Sequence, residues 1–97
     1  MARVDGRKAP DKAALLALLA QALRFPAYFG GNLDALEECL GDLEDFAPAP
    51  GYLLVIEHSD AACPGSREDF AAVVGVVDDA GLRRREAAAA PLTVFLL

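Results

Sequence analysis

Apolar residues first recur at helical spacing between Lys12 and Leu23, where Leu15, Leu16, Leu19 and Leu23 lie three and four apart. Asp11 precedes this run as an N-cap, and Phe25-Pro26 ends it, because a residue before proline avoids the helical region. Upstream, Ala2 to Val4 form a short strand closed by the turn signal Asp5-Gly6. A second helical stripe, Leu33, Leu36, Leu40 and Leu43, predicts a helix from Leu33 to about Leu43 with Asn32 as its N-cap. The paired glycines before it, Gly30 and Gly31, allow positive φ or a close backbone approach.

The period then changes. Phe46 to Gly51 is a loop, and Tyr52 to Ile56 is a nearly continuous apolar run, as expected of a strand covered on both faces in a parallel sheet. Ser59 to Gly65 connects onward with room for one helical turn. Ser66 and Asp69 match a capping box that opens a third helix, Arg67 to about Ala80, burying Phe70, Val73, Val74 and Val77. Gly81 suits its C-terminal cap. Leu82 to Pro91 is a loop or holds an extra helical turn, and Leu92 to Leu97 is a final strand. Strands alternating with helices imply an α/β fold with a small parallel sheet.

Composition narrows this picture. Ninety-seven residues without a repeat or an internal boundary make one domain, 1–97. Alanine supplies much of the 55% hydrophobic content, so the core rests on leucines, valines and five phenylalanines. The apolar stretch Ala13–Ala20 is far shorter than the roughly 20 residues a membrane span needs, and no signal-peptide pattern precedes it. Two cysteines outside any Cys-x-x-Cys pair and a single histidine cannot complete a zinc set. No metal or other cofactor is expected. Cys39 among leucines is a buried free thiol, which suits a reducing, cytoplasmic setting.

Charge changes the picture most. Residues 1–31 carry a net +3, residues 32–60 a net −8 with no Lys or Arg, and residues 61–97 a net −1. The acidic middle argues against a nucleic-acid footprint and favours a basic protein surface. Asp34, Glu38 and Asp42 fall at i, i+4 and i+8 on one helix face, with Glu37, Glu44 and Asp45 beside them. Like charges at this spacing cost about 0.2–0.5 kcal/mol per pair, and acids in a last turn oppose the helix dipole. Glu44 is expected as a rim charge that speeds association. Asp78 and Asp79 close the third helix, and either can extend the negative surface. Arg83 to Arg85 point elsewhere or partly neutralise it. The alternative is a solvated acidic face with no partner. A catalytic site built on Cys39 and His58, or on the Asp34 and Glu38 carboxylates, has no pocket wall, metal or phosphate loop to support it.

Tyr28-Phe29-Gly30-Gly31-Asn32-Leu33-Asp34-Ala35-Leu36-Glu37-Glu38-Cys39-Leu40 closely resembles the barstar family, intracellular inhibitors of barnase-type ribonucleases. Weaker similarity extends over most of the chain. The resemblance implies a three-stranded parallel sheet flanked by three to four helices, and no enzymatic activity. It also implies a monomer that binds a basic ribonuclease one-to-one, as an antitoxin or immunity protein. In the family, the second helix and its preceding loop plug the enzyme's active site. By position, Tyr28 matches the loop aromatic, Asp34 a contacting acid, Glu38 the central acid of the phosphate site, and Asp79 an acid near the end of the last helix. Phe29, Gly30, Asn32, Glu37 and Asp42 complete the expected partner-binding set. Glu37 replaces a tryptophan, Glu38 is one methylene longer than the family's aspartate, and Leu82–Pro91 is longer than its counterpart. A basic partner that is not a ribonuclease is the other reading of the same surface.

Overall fold

The computed structural model describes residues 1–27 and 29–97. Strand β1 (Ala2–Asp5) is followed by helix α1 (Lys12–Ala22), helix α2 (Leu33–Gly41) and the short helix α3 (Leu43–Phe46). Strand β2 (Tyr52–Glu57), helix α4 (Arg67–Glu86) and strand β3 (Leu92–Leu96) complete the order. The three strands form one parallel sheet in the order β1-β2-β3. Parallel neighbours need long crossovers. Helices α1 to α3 fill the first and α4 fills the second.

Register sorts the side chains. Val4 sits opposite Ile56, and Leu54 opposite Val94. Val4, Leu54, Ile56 and Leu92 join the core with Leu15, Leu16 and Leu19 of α1, Leu36 and Leu40 of α2, and Phe70, Val73 and Val77 of α4. The alternate positions Arg3, Thr93 and Phe95 are exposed, so the sheet is not covered on both faces. The unbroken apolar run of β2 has a different cause. β2 is the central strand, and Val55 is buried between Arg3 and Phe95 of its neighbours.

Caps fix the helix starts. Asp11 accepts from the Ala14 amide at 2.8 Å, and Asn32 from the Ala35 amide at 2.8 Å. Ser66 accepts from the Asp69 amide at 3.3 Å, while its own amide donates to the Cys63 carbonyl, so half of the expected capping box forms. Gly31 takes the positive φ, +69°, at the entry to α2.

Two boundaries differ from the sequence expectation. The second helix breaks at Asp42, and Glu44 and Asp45 fall in the first turn of α3, where the dipole favours them. The last helix does not end at Gly81 but continues to Glu86. Gly81 is required there for another reason: a Cβ would lie 2.7 Å from the Leu92 carbonyl oxygen. Asp78 and Asp79 therefore stand mid-helix, and Arg83, Arg84 and Arg85 occupy the last turn, the favourable end for cations.

Candidate protein-binding face

The loop that introduces α2 is anchored by aromatic rings. Phe25 meets Phe29 with centroids 5.1 Å apart and Phe46 at 6.3 Å, and the Phe29 amide donates to the Pro26 carbonyl. Phe29 is half-buried in this cluster, so it supports the loop from beneath. Gly30 and Asn32 are exposed, with the Asn32 side-chain oxygen engaged in capping α2. The position expected of Tyr28 lies outside the described residues.

Helix α2 buries Leu36, Cys39 and Leu40, and turns Asp34, Glu37, Glu38 and Asp42 outward. Asp34, Glu38 and Asp42 are exposed, and none of them forms an ion pair with a described residue. The i, i+4 spacing sets Asp34 and Glu38 on one face of α2, and Asp42, at its C-cap, lines the same groove as Glu38.

Glu37 and Glu44 are engaged, the partial neutralisation that is one of the two expectations for Arg83–Arg85, whereas Asp45 is exposed and forms no ion pair with a described residue. Arg83 Nη1 donates to Glu37 Oε1 at 3.0 Å, an exposed bridge with both side chains at least half accessible. Arg84 Nη2 donates to the Glu44 carboxylate. Glu44 is thus bridged and not free, and the Arg84 guanidinium holds its carboxyl below the ordinary value. These partners lie 46 and 40 residues away in sequence. The available signal was complementary charge, since Arg83–Arg85 form the one basic run that follows an acidic segment with no Lys or Arg of its own.

The α2–α4 seam is an open groove of about 560 Å³. Glu37, Glu38 and Asp42 line one side, Ala80, Arg83 and Arg84 the other. Asp79 is exposed one turn before Arg83, on the same flank of α4. Asp78 lines a different depression, beside Gly81, Arg85 and β3. Cys39 is buried under the acidic face. Desolvation, with Asp42 and Glu38 nearby, pushes its thiol up, and a protonated thiol is a poor nucleophile. Among the described residues no helix is long and apolar enough to cross a membrane.

A small α/β fold that holds unbridged carboxylates on a short helix, with both thiols buried, presents an acidic surface suited to a basic protein. Comparison with known families makes this specific. The family model described as Barstar (barnase inhibitor) matches residues 1–96, and the chain belongs to the barstar family. This is a family of inhibitors, not of enzymes. A search of curated proteins gave no match.

Proposed function

We propose that the chain is a cytoplasmic inhibitor of a barnase-like ribonuclease, acting as an antitoxin or immunity protein through residues 1–97 as a single domain. One copy occludes one enzyme. Glu38 enters the basic site in place of a substrate phosphate. Asp34 and Asp42 flank it along α2, Asp79 approaches from α4, and Tyr28, Gly30 and Asn32 shape the loop edge. The observation that carries this reading is the exposed, unbridged row Asp34, Glu38 and Asp42 in a chain of the barstar family. Such a row attracts a basic site over distance and pairs with it on contact.

The direct experiment is a ribonuclease inhibition assay with purified barnase, together with co-purification from the native host. Stoichiometric inhibition, or recovery of a basic ribonuclease, is the expected result. Recovery of a basic protein without ribonuclease activity, and no inhibition of barnase, would sink it. That outcome belongs to the second reading, an interaction module for another basic protein. The Arg83–Glu37 bridge favours this alternative, because it puts a paired charge where the family has a tryptophan.

A further inference from the structure

Arg84 is a buried charged side chain, only 4% exposed. Burying a guanidinium costs several kcal/mol unless its donors are matched. Here they are. Nε donates to the Ala90 carbonyl at 2.8 Å. Nη1 donates to the Leu40 carbonyl at 3.0 Å and the Gly41 carbonyl at 3.4 Å, and Nη2 to Glu44. The guanidinium also lies over the Tyr52 ring, 5.3 Å from its centroid.

Leu40 and Gly41 are the last two residues of α2. Their carbonyls belong to the terminal set that a helix leaves without internal partners, at the negative end of its dipole. No basic residue of α2 occupies its last turn. The cation comes instead from α4, 44 and 43 positions onward. The same group ties down the first turn of α3 through Glu44 and the approach to β3 through Ala90. It therefore holds three segments at the joint where α2 breaks into α3.

Nine residues are too few to be a stable helix alone, so the direction of α2 depends on its anchors. Leu36 and Leu40 anchor one side. Glu38 and Asp42 flank Gly41 within a turn and share the groove with Arg84. We propose that Arg84 is a positioning residue for the acidic face: it caps α2 from outside, offsets the charge gathered at that end, and fixes the direction in which Glu38 and Asp42 project. The meaning of that face rests on the function proposed above, whereas the cap itself can be tested in the free protein.

Arg84→Met keeps an apolar stem and removes every donor, while Arg84→Lys keeps the charge with a different donor geometry. Amide hydrogen exchange by NMR on the free protein and stopped-flow dissociation from barnase are the two readouts. In Arg84→Met, amides 38–42 should exchange at least about tenfold faster relative to those of β2, because a lost cap opens α2 locally. Dissociation should quicken about tenfold with association within about twofold, since affinity changes at one interface reside mostly in the off-rate. Arg84→Lys should recover part of both effects, and it carries the comparison if Arg84→Met does not fold. Equal acceleration in α2 and β2 would overturn the proposal, since Arg84 would then stabilise the whole fold without special bearing on α2. Faster local exchange with unchanged dissociation would overturn it too. If the wild-type chain fails to inhibit barnase, the ribonuclease reading falls, and the exchange comparison still decides whether Arg84 holds α2.

Discussion

The carboxylates of α2 and α3 fall into two groups. Asp34, Glu38, Asp42 and Asp45 face water and lack an ion-pair partner among the described residues, whereas Glu37 and Glu44 are held by Arg83 and Arg84. The groups interleave in sequence, and neighbours at 37 and 38 have opposite fates. Nearness to α4 does not by itself separate them, since Glu38 and Asp42 line the same groove as Arg83 and Arg84. What separates them is which carboxylate each arginine meets: Arg83 takes Glu37 and the buried Arg84 takes Glu44. The rest stay open to solvent.

The contrast breaks if the two groups respond alike to truncation. Glu38→Ala should weaken binding to a barnase-like ribonuclease by about 2–3 kcal/mol, the scale of a lost hydrogen bond to a charged group, chiefly through faster dissociation. Its thermal midpoint should stay near wild type, and stopped-flow binding with a melting curve checks both. Unchanged dissociation would remove Glu38 from the centre of the site.

Glu44→Gln should show the converse. Stability should fall by about 0.5–1.5 kcal/mol in urea unfolding, at the lower end because the carboxylate is 41% exposed, with dissociation unaltered. A purely kinetic effect on association would restore Glu44 to the rim role that its sequence position suggests.

Acid titration sharpens the same contrast. Arg84 holds the folded Glu44 carboxyl below its ordinary 4.5, and Arg7 holds Asp5 at about 2 rather than 3.8. The folded state therefore binds fewer protons than the unfolded chain. Their stabilisation is fully present above the unfolded values and is lost as pH falls through the folded ones. Urea unfolding followed from pH 5 downward should show a decline that begins near 4.5 for Glu44 and continues toward about 2 for Asp5. Glu44→Gln should remove the upper part of that decline, and an identical profile would mean the Arg84 pair adds nothing.

Glu37→Gln is the smallest test. Its bridge to Arg83 is exposed on both sides, so urea unfolding should change by less than about 0.5 kcal/mol. A loss as large as that of Glu44→Gln would show that exposure does not distinguish the two arginine-held acids.

Local signals made much of the fold legible. Asp11, Asn32 and Ser66 cap the helices that their sequence positions predict, because capping is a bond between near neighbours. β2 and β3 follow from apolar runs, and β1 from the Asp5-Gly6 turn signal that closes it. The end of α4 was misjudged because glycine is ambiguous: Gly81 resembles a helix stop, yet it is small to let the helix pass the Leu92 carbonyl. Of the acidic face, the row 34, 38, 42 was visible as a helical period. Partial neutralisation by Arg83–Arg85 is one of two readings of the charges, but that it falls on Glu37 and Glu44 depends on where α4 returns, and nothing within four residues of either acid encodes that.

Gly81 has one more consequence. It brings α4 against Leu92, where the final strand begins, so the chain leaves this spot at Leu82 and comes back to it after Pro91. The stretch between is a closed detour pinned at both feet. Residues can be added to or removed from its far part without shifting the sheet, and closing a longer detour costs only about 0.6 kcal/mol per doubling in length. The arginine arms that sort the acids ride on the outgoing leg. Because that leg is still helix, their reach toward α2 is set by α4 itself and not by the length of the turn that follows it.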